Sequence, residues 1–218
     1  MNFQSTILDL PSICHGFGFP RIAVEKHVAA YAVQTFPTKQ VHSHKVYVVT
    51  ELPQAVIEAD AFVTNVPGIV CSVRTADCVP ILLADPVKRV VGAVHAGWRG
   101  TAADIVGEAI TVFQRRFGSQ LEDLCVAIGP AICGNCYQVG EDVARAMGML
   151  SPDAVKKQDE KYVVDLKLAN RDRLRELGVL SEQIWLSKEC TFCGQGNLAS
   201  FRRDQTTERQ ENFIFIER

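Results

Sequence analysis

Five short runs rich in Val and Ile set the strongest limit on what this chain can fold into: Val46 to Val49, Gly68 to Val73, Val79 to Ala84, Val90 to His95 and Leu124 to Ile128. Gly, Pro or Asp bounds each of them, the pattern of half or fully buried strands. Several crowd between residues 60 and 130. Helical spacing follows in Thr101 to Phe117, where Ile105, Ile110, Val112, Phe113 and Phe117 share a face and Asp104 and Glu108 sit where the macrodipole favours anions. Val139 to Leu150 and Asp165 to Leu177 repeat the pattern, the latter with Leu166, Ala169, Leu174 and Leu177 apolar and Gly178 in the stop position. Ile184 to Leu186 and Phe213 to Ile216 read as late strands. The class is therefore mixed α/β (α+β), and the pattern leaves the order of the sheet open. With no repeat, low-complexity tract or Pro/Ser-rich linker, residues 1–218 are expected to form one continuous domain.

Composition narrows the function. At 218 residues with 47% hydrophobic and 22% charged side chains, the chain can bury a substantial core and has no disordered character. Its 23 Lys and Arg against 25 Asp and Glu leave a net charge of -2, too balanced for a general nucleic-acid binder. Small molecules are the expected partners. The start, MNFQSTILDL, has no cation before Arg21 and no long apolar core, so a reducing cytoplasm is expected. The uncharged stretch Leu124 to Gly140 is broken by Gly129, Pro130, Gly134 and Asn135, so no membrane helix is expected. Eight cysteines are numerous, yet too sparse for a disulfide-stapled scaffold.

Those cysteines meet few histidines. His42 and His44 lie two apart in QVHSHKVYVV, so in an extended segment both rings leave the same face. In VVGAVHAGWRG, His95 stands at the expected end of a strand, and Cys78 precedes another strand in RTADCVP. Two imidazoles and a thiolate with one open position describe a catalytic zinc site. Buried, satisfied core residues account for the same spacing, and both readings stay open at this level. Cys133-x-x-Cys136 and Cys190-x-x-Cys193 offer a rival structural zinc site, with free buried thiols as the plainer account. The H-x-E and P-C-x-x-C signature of cytidine deaminases is absent, since Ala96 and Gly97 follow His95. Arg99 and Gly100 lead into the helix from Thr101, where a cation and free N–H groups would receive phosphate; an Arg99 ion pair beside a core Trp98 is the alternative. Arg202, Arg203 and Arg209 in SFRRDQTTERQ read either as a solvated run or as the rest of an anion pocket. Neither a G-x-x-x-x-G-K-S/T loop nor a G-x-G-x-x-G turn is present.

Taken together, QVHSHKV, ADAFVTNVPG, RTADCVP, VHAGWRGT, IGPAICGNCYQVG, DLKLAN, CTFC and SFRRDQTTERQ resemble, in order and spacing, the YfiH-like purine nucleoside phosphorylase family, also labelled laccase-domain or multicopper polyphenol oxidase proteins. The likeness runs from about His15 to the C-terminus. It implies a single layered domain of mixed β-sheets flanked by helices, with Zn²⁺ (Cu²⁺ possible) on His42, Cys78 and His95. It also implies phosphorolysis of adenosine, inosine, guanosine and methylthioadenosine to base and ribose phosphate, and hydrolytic deamination of adenosine, for which a zinc-activated water is the expected nucleophile. Asp77 is then placed to orient a ligand or carry a proton, or simply to end a strand. Arg99, Arg202 and Arg203 become the phosphate candidates. Purine nucleosides and phosphate are the implied partners, without nucleic acid or membrane. Three departures from the family pattern, HGFGFPRIAV near the start, Ser43 in place of glycine and Glu208 where TGR is usual, bear on substrate choice. Copper polyphenol oxidation, a metal-free hydrolase with Cys78 as nucleophile and His95 as base, and a binding module without turnover are the alternatives.

Overall fold

The computed structural model describes residues 3–195 and 197–218. Strands Val79–Asp85 and Val90–Ala96 are buried at every position, which places them at the middle of a six-stranded sheet. Across that sheet the order is Ile184–Leu186, Cys125–Ile128, Val79–Asp85, Val90–Ala96, Ala61–Thr64 and Val46–Val48. The inner pairs are antiparallel and the two outer pairs parallel. Alternation along the strands sorts side chains to two faces. Ile81, Leu83 and Val94 pack with Ile105, Ile110 and Phe113 of helix Ile105–Phe117 and with Ala169 and Leu174 of helix Leu166–Glu176. Leu82, Ala84, Val91 and Ala93 pack with Cys71, Val73, Ile214 and Ile216 of a second, antiparallel sheet. That sheet joins Ile13–Phe19, Gln210–Ile216 and Cys71–Thr75. The result is three layers: helices, mixed sheet, antiparallel sheet.

Several boundaries differ from the sequence reading, each for a local reason. The helix expected over Thr101 to Phe117 is two helices, Trp98–Ala102 and Ile105–Phe117. Asp104 separates them with φ 61°, caps the second by accepting from the Gly107 N–H, and takes both Nε and Nη2 of Arg173 at 2.9 and 2.7 Å. Val139 belongs to a short strand, Gln138–Val139, and the helix begins at Glu141 after Gly140. Gly68 is a turn residue at φ 82°, so its strand starts only at Cys71. Strand Ile13–Phe19, helix Arg21–Ala30 and strand Ala61–Thr64 were not expected from the sequence. No helix among the described residues is long and apolar enough to cross a membrane.

Candidate metal centre and its cavity

The register of the two central strands begins to build the site. Val79 lies opposite Ala96 and Pro80 opposite His95, so Cys78, at the end of one strand, is brought beside the His95 ring on the other. His42 arrives from a loop whose backbone is bound to one carboxylate. Asp60, wholly buried just before strand Ala61–Thr64, accepts the N–H groups of Val41, His42 and Ser43 at 3.2, 3.0 and 2.7 Å and the Ser43 hydroxyl at 2.8 Å. Its Oδ1 also holds His95 Nδ1 at 2.8 Å, leaving Nε2 of that ring to face the site. One carboxylate thus fixes both histidines.

His42, Cys78 and His95 offer ligand atoms all within 4.8 Å of one another, and the two rings meet edge to face at 4.9 Å. Two imidazoles and one thiol are a donor set that suits a borderline-soft divalent cation. Gly97 lets them approach: a Cβ there would stand 3.0 Å from Cys78 Sγ and 3.2 Å from His42 Cδ2. Electrostatics favour an ionised sulfur. Burial raises the Cys78 thiol, but hydrogen bonds and charge from His42 and His95 outweigh that and bring it down to about 6. Burial lowers the His95 imidazole, whereas Asp60 and Cys78 together lift it to about 9. Asp60 ends at about 2, because its bonds to His95 and Ser43 overcome its own desolvation.

The remaining expected residues divide. His44 is exposed and outside the ligand set, because residues 41–45 are not extended and His42 itself sits at φ 59°. Asp77, at φ 89°, accepts the Thr191 hydroxyl and the Arg202 backbone N–H, both at 2.7 Å. Its carboxylate therefore anchors the Thr191 loop and the first turn of helix Phe201–Asp204, and among the described residues no hydrogen bond joins it to the three ligand residues. Arg99 lies inside the short helix, 4.4 Å over the Trp98 ring, and the Thr101 N–H is spent on Gly97 O at 2.8 Å. The expected cluster of free N–H groups at Thr101 is not there. Arg202 bonds Gln138 O and stacks 5.1 Å over Tyr137. Arg203 commits all its donors: Nη1 to Thr191 O and Phe192 O, Nη2 to Leu198 O and Asp204, Nε to Asp204. It clamps a loop and has no donor left for phosphate.

A cavity of about 530 Å³ opens on the ligand set and is lined by Lys39, Gln40, Arg74, Phe201, Thr207 and Arg209 beside His42, Cys78 and His95. Of the C-terminal arginines, it is Arg209 that reaches it. A groove of about 660 Å³ near Ser151 and Arg171 holds none of the three ligands. Asp60, Lys39 and Arg74 were missed from sequence; the buried acid directly before an apolar strand in ADAF was the available signal for the first.

Comparison with known proteins agrees with this architecture. The crystal structure of YlmD from Geobacillus stearothermophilus superposes with a TM-score of 0.89 at 28% identity, over 98% of this chain and 94% of that one. A Shigella flexneri protein named purine nucleoside phosphorylase YfiH is 35% identical over 200 residues, covering 88% of this chain and 80% of its own length. The Bacillus subtilis purine nucleoside phosphorylase YlmD is 38% identical over 189 residues, covering 80% and 68%. A family model described as multi-copper polyphenol oxidoreductase laccase matches residues 21–217. With nearly the whole chain matched, and the layered fold shared with solved relatives, this protein belongs to the laccase-domain family that includes YfiH and YlmD.

Proposed function

We propose that the chain is a zinc-dependent purine nucleoside phosphorylase acting in the cavity beside His42, Cys78 and His95. The observation that carries the reading is the convergence of two imidazoles and a thiol on a cavity that also holds Lys39, Arg74 and Arg209, in a family whose curated relatives are named for this reaction. An oxygen of hydrogen phosphate forms a bond to C1′ of the ribose as the bond from C1′ to the purine nitrogen breaks, and the proton that the phosphate carried passes to the departing nitrogen, leaving ribose 1-phosphate and the free base. When bound, the zinc supplies Lewis-acid stabilisation of negative charge in the site. Arg74 and Arg209 offset the charge of the incoming phosphate, and Arg99 and Arg202, which do not line the cavity but act on Tyr137 together with Cys78, are further candidates. Phe201, 48% exposed at the cavity, offers an aromatic face for the base. Asp60 keeps the proton of His95 on Nδ1.

Adenosine, inosine, guanosine and methylthioadenosine are the proposed substrates, with hydrolytic deamination of adenosine as a second activity of the same site. Incubating the protein with each nucleoside, with and without phosphate, and weighing the products tests this. Free base and ribose 1-phosphate should form only when phosphate is present, and inosine from adenosine irrespective of it. Base release that ignores phosphate, or no turnover at all, would overturn the reading.

The Asp60–His95–Cys78 chain also favours a second reading, a metal-free cysteine hydrolase with Cys78 as nucleophile. Metal at the His42 centre separates the two: zinc that is lost in Cys78→Ala supports the phosphorylase, and a protein that is active with this centre metal-free and is inactivated by alkylation of Cys78 supports the hydrolase. Copper oxidase chemistry, suggested by the family description, is checked by catechol oxidation with added Cu²⁺.

Zinc uptake should also depend on pH in a definite direction. His95 is protonated below about 9 and must lose that proton to ligate, whereas Cys78 is already a thiolate above about 6. His95 and Cys78 together should therefore release about one proton on metal binding near pH 7, rising towards two below about 6 and falling towards none above about 9. Calorimetry in buffers of different ionisation enthalpy reads that number directly; a pH-independent affinity would contradict the assignment of His95 as a ligand.

A further inference from the structure

The four cysteines of the two C-x-x-C pairs form a second cluster that the phosphorylase reading does not use. Cys133 and Cys136 follow strand Cys125–Ile128, and Cys190 and Cys193 follow strand Ile184–Leu186. The two strands are parallel neighbours, and their pairing resumes past both ends as a bridge between Ala131 and Cys190. Both loops therefore leave the same end of the sheet side by side. The four sulfurs lie within 4.8 Å of one another. We propose that Cys133, Cys136, Cys190 and Cys193 bind a structural zinc ion, distinct from the centre at His42, Cys78 and His95.

Geometry and surroundings support a metal. Zinc–sulfur bonds of about 2.3 Å in a tetrahedron put the sulfurs about 3.8 Å apart, so the cluster needs little adjustment to close on an ion. Four thiolates complete the tetrahedron and leave no position for substrate, as in structural sites. Both loops are wound as metal-binding turns. Cys136 N–H and Tyr137 N–H return to Cys133 O at 2.9 and 3.1 Å, and Gly194 N–H returns to Cys190 O at 2.9 Å. Gly194 is required for the second turn, since a Cβ there would collide with Cys190 O. Backbone N–H groups of Cys133 and Cys193 point at Cys190 Sγ at 3.3 and 3.5 Å, the contacts that stabilise a ligating thiolate. A buried ammonium stands alongside. Lys167 Nζ bonds Ser187 O at 2.8 Å and Glu189 O at 3.0 Å, and its charge acts on Cys133 and Cys190. It offsets part of the net −2 of zinc bound by four thiolates.

The cluster also bears on the other centre. Thr191, between two of the ligands, donates to Asp77 Oδ1, and Asp77 immediately precedes Cys78. Arg203 holds the carbonyls of Thr191 and Phe192 from the other side. A metal at the four sulfurs would fix the loop that positions Asp77, and through it the strand end carrying Cys78.

The test counts metal in the intact chain. Protein purified in reducing buffer with zinc should carry two ions by native mass spectrometry. Cys78→Ala should keep one of them, and Cys136→Ser combined with Cys193→Ser should lose that one. Cobalt loaded into Cys78→Ala should show intense sulfur-to-cobalt charge-transfer bands with the visible bands of a tetrahedral site. Should the double serine variant fail to fold, alkylation of the wild type decides: all four cysteines should be protected until a strong chelator is added. A metal-free Cys78→Ala protein, cystines mapped within or between the two pairs, or alkylation that ignores chelator would each overturn the proposal. None of these readouts involves a nucleoside, so failure here is distinguishable from failure of the phosphorylase reading.

Discussion

Replacing Cys78 with alanine is expected to strip the metal from the His42 centre and lower kcat/KM for phosphate-dependent nucleoside cleavage by about a thousandfold or more. The magnitude follows from losing about 4 kcal/mol of charge stabilisation, at about 1.4 kcal/mol per factor of ten. Cys78 is the sole sulfur of the set, and both rings hydrogen-bond to it. Removing it leaves two imidazoles that cannot hold a cation against a chelator. The fold should survive. Val79–Asp85 remains buried between two packed neighbours, and the lost sulfur faces a cavity rather than the core. Metal content, circular dichroism and turnover on the same preparation distinguish these effects. As much metal in the variant as in the wild type, with undiminished activity, would contradict the assignment.

Asp60 should be nearly as sensitive, although it does not touch the substrate. Its carboxylate joins the His42 loop to His95 through three backbone N–H groups, one hydroxyl and one ring nitrogen. Asp60→Asn keeps the shape and removes the charge. An amide has one acceptor oxygen where the carboxylate uses two, so either the loop or the ring loses its partner. Zinc affinity should fall about 10- to 100-fold, as when partners behind a ligating histidine are lost, with a matching loss of kcat/KM. Chelator competition measures it; unchanged affinity would mean that the ligands are positioned without this carboxylate. Asp60→Ala should in addition cost about 3 kcal/mol of stability at neutral pH, since it leaves buried donors unpaired. The pH dependence has a fixed sign. Asp60 is held near 2, below its ordinary value of 3.8, so its stabilising effect is present above about 4 and is lost as pH falls towards 2. Wild type and variant should therefore converge in stability on acidification.

What the sequence disclosed follows from which interactions leave a local mark. Val79–Asp85 and Val90–Ala96 were legible because strands buried on both faces read as unbroken apolar runs. Ile13–Phe19 was not, since Gly16, Gly18 and His15 interrupt its pattern, although His15, Gly16, Phe17 and Phe19 are buried. The break at Asp104 was hidden because the helical spacing of Ile105, Ile110 and Phe113 lies wholly beyond it, and no Gly or Pro in Thr101 to Asp104 marks a stop. At the site, three boundary residues could be named, but their meeting depends on the pairing of Pro80 with His95 and on Asp60 gathering residues 41–43. His44 looked equivalent to His42 only if the segment were extended, and the left-handed turn at His42 removes that premise. The C-x-x-C pairs looked remote in sequence; a parallel pairing of Ile184–Leu186 with Cys125–Ile128 makes them neighbours. The role of Arg203 depends on the carbonyls of Thr191, Phe192 and Leu198 as well as on Asp204, contacts that no spacing rule reveals.

Anomalous diffraction at the zinc edge, from crystals of protein shown to be active, tests the centre most directly. One peak should lie within bonding distance of His42, of Cys78 Sγ and of His95 Nε2. An active protein whose difference map is empty among those three side chains would contradict the account.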